Sequence, residues 1–155
     1  SGKTAALMST SCRIGALTSG ANRREVDAFT TFGRAFGMVF QLRDDVLDVI
    51  ADDGELGKPP GQDLAEGVYT LPVLLALHDP DAGPELRTLL GQALGQPERE
   101  KARAIVSESK AVATTVAIAR RHVAHAVAAT EGIGPPHVAL GLARLASSLL
   151  HDLPG

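Results

Sequence analysis

Tryptophan is absent from this chain, and tyrosine and cysteine occur once each. Aromatic residues fill only 3% of the 155 positions, too few for the stacking platforms that bind single-stranded nucleic acid. The net charge is −3, so the basic excess of a nucleic-acid footprint is missing too. A lone Cys12 excludes an internal disulfide framework and fits a reducing compartment, which makes the cytoplasm the expected location. Its side chain reads as a small buried apolar group. No apolar run approaches the roughly 18 residues needed to span a bilayer. No hydrophobic segment follows a charged one at the start, so neither a transmembrane segment nor a secretory signal is expected.

What the chain does have is 45% apolar residues, enough to build one compact domain, 1–155, with a core. Those residues recur at intervals of three and four, the helical period. The pattern predicts helices over about 3–18, 23–50, 70–78, 84–94, 97–106, 110–130 and 136–152. Gly20 suits a helix stop and Asn22 an N-cap. Pro84 and Pro97 stand where a first helical turn tolerates proline. The alanine-rich run 111–129 favours helix, and no stretch alternates as a strand would. An all-α helical bundle is the predicted fold class. No helix start signal precedes Lys3, so the chain is expected to be part of something longer.

One segment interrupts the pattern. Residues 51–69 carry Gly54, Gly57, Pro59, Pro60, Gly61 and Gly67, which forbid a continuous helix. A long loop inside a helical domain is commonly functional. This one directly follows Phe40-Gln41-Leu42-Arg43-Asp44-Asp45-Val46-Leu47-Asp48 and can fold back over it. On a helix, Asp44 and Asp48 lie one turn apart on one face, and Gln41 extends the same stripe. Three carboxylates near a helix C-terminus repel one another and face the negative end of the macrodipole. A cation would relieve both effects. Mg²⁺ suits, because it takes oxygen ligands and bridges carboxylate to phosphate. Read alone, D-D-x-x-D fits a solvated acidic helix end about as well, with Arg43 neutralising a neighbour. The flanking Phe40 and the Gly/Lys/Pro loop favour a site. An EF-hand is excluded by register: with Gly54 at position 6, Val49 and Ala51 fall where acids are required. Lys3 and Lys58 each follow a glycine and can meet an anion as point charges.

In order and spacing, residues 1 to about 77 resemble the C-terminal half of a trans-isoprenyl diphosphate synthase, or polyprenyl synthetase. The matching residues are Gly2-Lys3-Thr4-Ala5-Ala6-Leu7, Gly15-Ala16, Phe40-Gln41-x-x-Asp44-Asp45-x-x-Asp48, Gly57-Lys58-Pro59-x-Gly61-x-Asp63-Leu64 and Glu66-Gly67-x-x-Thr70-Leu71-Pro72. Residues 78–155 match only as a pattern of helices. The resemblance implies an all-helical fold of the class I isoprenoid-synthase type around a deep cavity. It implies condensation of isopentenyl diphosphate with an allylic diphosphate. By that similarity Asp44, Asp45 and Asp48 form the second of two acidic motifs that hold Mg²⁺, and Asp63 supports the metal. Lys3 and Lys58 hold the diphosphate, Thr4 and Gln41 line the reacting end, and Phe40 packs on the isopentenyl group. Such enzymes are usually dimeric.

The sequence departs from the family at Val68, where many members have lysine. The first acidic motif belongs to the N-terminal half of such enzymes, so 1–155 alone is expected to be inactive, and to self-associate through uncovered apolar faces. Two other readings compete. Ser1-Gly2-Lys3-Thr4 could be the tail of a P-loop, although no strand-rich segment follows. A non-catalytic helical subunit of a split synthase is the other, but the complete acidic motif argues against it. His122 and His125 could pair on a helix face, yet no acid or thiol lies near and Arg120-Arg121 would repel a cation. Neither Ser147-Ser148 nor Cys12 has a base at a recognisable spacing, so no nucleophile is expected.

Overall fold

The computed structural model describes residues 2–51, 60–92 and 94–154. Among them every regular element is helical: α1 (Gly2–Thr18), α2 (Arg23–Ile50), α3 (Gln62–Ala65), α4 (Leu71–His78), α5 (Gly83–Leu90), α6 (Gln96–Glu108), α7 (Ala111–Ala129), a 3₁₀ turn (Thr130–Gly132) and α8 (Pro136–Ser148). The seven helices read from periodicity are all present. Three details differ. A single turn, α3, forms between Gly61 and Gly67 inside the segment expected to be loop. The fifth helix ends at Leu90, where Gly91 follows, not at 94. The last ends at Ser148: Ser147 and Ser148 turn their hydroxyls back onto the Ala143 and Leu145 carbonyls, an alternative to continuing the ladder.

Helix starts follow side-chain chemistry. Asn22 Oδ1 accepts from the Glu25 N–H and Glu25 Oε2 accepts from the Asn22 N–H, both at 3.1 Å, a reciprocal capping box at the start of α2. Prolines occupy the first turns of α4, α5, α6 and α8. Gly20, in the left-handed region at φ +75°, closes α1.

The chain forms two compact units, and α2 and α7 each contribute to both. The first contains residues up to Arg43 with Ile118–Asp152. Val26, Val39, Leu42 and Ile133 are buried in it, and Phe32, Ala35, Ala126 and Ala146 form a cluster with Cys12, Phe36, Ala129 and Leu142 against them. The Phe32 and Phe36 rings stack 5.6 Å apart along α2. Cys12 is half-buried and burial raises its thiol pKa, which fits the apolar role read for it. Here α1 and α2 meet backbone to backbone. A Cβ on Gly37 would stand 2.7 Å from the Ala5 Cα, and one on Gly33 2.6 Å from the Met8 carbonyl oxygen. Only glycine permits that approach. Gly134 N–H donates to Glu25 Oε1 at 3.1 Å, tying the α7–α8 connection to the start of α2.

The second unit, Asp44–Ala117 with residues from Leu153 onward, is filled differently. Val46, Val49, Leu64, Val73, Leu86, Val106, Val112 and Val116 form one continuous aliphatic cluster with Ala76 and Ala102. Asp79, just past α4, accepts from the N–H groups of Asp81 (2.9 Å) and Ala82 (3.1 Å), an Asx turn that leads into α5. These bonds, that to Ala82 foremost, hold its carboxyl below the usual range.

Candidate diphosphate and metal site

In the first unit, the close crossing of α1 and α2 puts two expected site residues in contact. Thr4, half-buried one residue before Ala5, donates its hydroxyl to Gln41 Oε1 at 3.0 Å. Gln41 lies one helical turn after Gly37, so the glycine that allows the approach also sets this bond. Fixing Oε1 as the acceptor orients the amide, leaving Nε2 as the side that carries its N–H donors. Lys3 is exposed and Phe40 half-buried. Arg43 makes a bidentate pair with Asp152, Nε to Oδ1 at 3.1 Å and Nη2 to Oδ2. That hydrogen bond is the main reason the Asp152 carboxyl titrates below its ordinary value.

In the second unit, the last two turns of α2 carry the carboxylates. Asp45 and Asp48 are buried, at 6% and 4% exposure, while Asp44 is exposed. Asp44 and Asp48 stand one turn apart on α2, as the i, i+4 spacing implies, but Asp45 and Asp48 are the pair that is buried. The reason is that Val46 and Val49 anchor this side of the helix in the aliphatic core and turn Asp44 outward. Asp48 is held twice: its carbonyl accepts from the Gly61 N–H at 2.9 Å, and Oδ2 accepts from the Asp63 N–H at 3.4 Å. So Gly61 and Asp63 come back onto the acidic turn. Lys58 lies outside the described residues.

The donors suit one kind of metal and not another. Among the described residues no three His, Cys, Asp or Glu side chains form a cage that would hold an ion by themselves. A hard cation that keeps its waters needs only one or two carboxylates and takes its remaining oxygens from phosphate. Aspartates at one helix end fit that mode, with Asp44, Asp45 and Asp48 as the residues that would hold it. His122 and His125 stand edge to face, centroids 6.2 Å apart, and desolvation, then the charges of His125 and Arg121, lower the His122 pKa.

Two further signals stand in the sequence. Gly33-x-x-x-Gly37 marks a close helix crossing, and Asn22-x-x-Glu25 marks the capping box. A third feature leaves no local trace. Arg103 on α6 donates to the Val49 and Ala51 carbonyls, at 3.2 and 2.7 Å, at the end of α2.

An all-α chain with an acidic turn tied to a glycine-rich return has the fold of the isoprenyl diphosphate synthases. A geranylgeranyl pyrophosphate synthase from Corynebacterium glutamicum, solved with calcium and isoprenyl diphosphate, superposes with a TM-score of 0.89 at 31% identity, covering 99% of this chain and 48% of that one. The polyprenyl synthetase family model matches residues 1–109. The chain belongs to the polyprenyl synthetase family. It is 38% identical over 149 residues to a probable mitochondrial hexaprenyl pyrophosphate synthase of Neurospora crassa, covering 96% of this chain and 32% of that protein. It is 37% identical over 120 residues to heptaprenyl diphosphate synthase component 2 of Bacillus subtilis, covering 77% of this chain and 34% of that protein. The chain thus spans about a third of those relatives and about half of that solved structure. The P-loop reading falls here: the family match includes Gly2-Lys3-Thr4, and no strand occurs among the described residues. No described helix is long and apolar enough to cross a membrane.

Proposed function

We propose that this chain carries the second acidic motif of a Mg²⁺-dependent trans-polyprenyl diphosphate synthase, which joins isopentenyl diphosphate to an allylic diphosphate. The observation that carries the reading is the pair of buried carboxylates, Asp45 and Asp48, at the negative end of a 28-residue helix. Carboxylates grouped at a helix end suit a hard divalent cation, which takes oxygen ligands and bridges carboxylate to phosphate.

In this reading Asp44, Asp45 and Asp48 take up the metal-bound diphosphate of the allylic substrate, with Asp63 holding Asp48 in place. Lys3 and Lys58 add point charges to the same diphosphate. Bound Mg²⁺ would offset the negative charge that grows on the leaving diphosphate. The allylic C–O bond breaks with its electron pair going to that diphosphate. The isopentenyl double bond attacks the resulting cation, a C–C bond forms, and a proton leaves to the released diphosphate. Thr4 and Gln41 position the reacting end, and Phe40 packs on the isopentenyl chain. Residues 1–155 form a single helical domain that does not turn over alone, for want of the first acidic motif. Leu7, Ile14 and Leu17, at 64, 56 and 54% exposure along α1, support self-association, with a homodimer the simplest form. The lone, half-buried Cys12 supports a reducing compartment, read as the cytoplasm.

The test is calorimetric titration of the chain with inorganic pyrophosphate, with and without Mg²⁺. Binding that requires Mg²⁺ and disappears in Asp48→Ala is the expected result. Binding indifferent to both changes would sink the reading.

A further inference from the structure

The C-terminal carbonyls of α2 have a traceable set of donors. The Leu47 oxygen accepts from the Ala51 N–H and the Asp48 oxygen from the Gly61 N–H, each at 2.9 Å. The Val49 and Ala51 oxygens accept from one guanidinium, that of Arg103: Nε at 3.2 Å and Nη2 at 2.7 Å. Arg103 comes from α6, more than fifty residues further along the chain. Its helix is locked against the same core, because Ala102 and Val106, both fully buried, pack in the cluster that holds Val46 and Val49.

The stem of Arg103 does a second job. Gly61 is buried at φ +73°, and a Cβ there would meet Arg103 Cδ at 2.6 Å. So the arginine lies on the one turn whose N–H groups, from Gly61 and Asp63, hold the Asp48 backbone and carboxylate. Its charge also opposes the negative end of the macrodipole, where Asp44, Asp45 and Asp48 cluster.

We propose that Arg103 is a positioning residue for the metal–diphosphate site, clamping the last turn of α2 to the Gly61 turn so that Asp48 stands ready to bind. The proposal rests on the function proposed above. Arg103 touches no ligand in this role; it acts through Asp48. A lysine cannot replace it fully, since a single ammonium lacks the planar fork that spans two carbonyls.

The experiment compares the full chain with Arg103→Met, Arg103→Lys and, as a control on the exposed face of α6, Lys101→Met. Each is titrated calorimetrically with Mg²⁺ and inorganic pyrophosphate, at a temperature where circular dichroism shows it fully helical. Arg103→Met keeps an apolar stem and loses the fork. It should bind magnesium pyrophosphate roughly tenfold or more weakly, the usual effect of losing a residue that orients a metal ligand. Arg103→Lys should recover part of the affinity, and Lys101→Met should match the parent. Arg103→Met that melts earlier yet binds like the parent overturns the role and leaves the diphosphate reading intact. A parent that does not bind magnesium pyrophosphate overturns both. Should Arg103→Met not fold, Arg103→Lys decides: affinity equal to the parent's overturns the clamp, and an intermediate loss supports it.

Discussion

The two units of this chain are packed around different features. The first brings α1 and α2 into backbone contact at a pair of glycines, beside a cluster of alanines and two stacked phenylalanines. The second fills its interior with one aliphatic cluster rich in valine and leucine. Each arrangement sets the candidate site residues it holds. Backbone contact brings a short threonine within 3.0 Å of a glutamine on the neighbouring helix. Aliphatic filling clamps one side of the last turns of α2 so firmly that two aspartates are held in buried positions. Close approach thus positions small polar groups, and apolar anchorage forces charged ones to accept an environment they would otherwise avoid.

The contrast can be broken from either side. The largest effect should come from emptying the second unit. Leu86 is fully buried, and Leu86→Ala should cost about 2–5 kcal/mol by denaturant unfolding. The first unit should suffer most from the reverse change, adding volume. Gly37→Ala drives a methyl into the Ala5 backbone and should cost about 1–3 kcal/mol, even though alanine is the better helix former. A neutral Gly37→Ala would mean the helices are not held in contact, and the comparison would lose its basis. Smaller still is Thr4→Val, which removes the hydroxyl but keeps the shape: about 1 kcal/mol, with pyrophosphate affinity the more sensitive readout.

The smallest effect is electrostatic and lies in the first unit. Asp152 has a lowered folded-state pKa because Arg43 hydrogen-bonds its ionised form. Its stabilisation is therefore present above the unfolded carboxylate value of about 4 and is lost as pH falls through the lower folded value. The pair is solvent-accessible, so Asp152→Asn should cost under about 1 kcal/mol at neutral pH, and the gap to the parent should close on acidification. A difference that persisted at low pH would assign the loss to packing.

Much of the fold was legible because helices are local. A three-to-four periodicity, an asparagine before α2 and prolines in first turns depend on neighbours within a turn, and these located seven helices. The missed turn, α3, is too short to show a period. It exists because its flanking glycines, Gly61 and Gly67, take positive φ and its leucine is buried. The order of the acidic, lysine and glycine-rich motifs likewise stands in the sequence, and it was enough to indicate the family.

What the sequence alone determined is therefore the set of helices and the chemical inventory: three aspartates, a threonine, a glutamine and a return loop in a fixed order. Which aspartates are buried, which glycine touches which helix, and that an arginine far down the chain closes the end of α2 were decided only by tertiary structure. Helical periodicity is written by residues a few positions apart. Burial and clamping are set by partners dozens of residues away, chosen by how whole apolar faces fit.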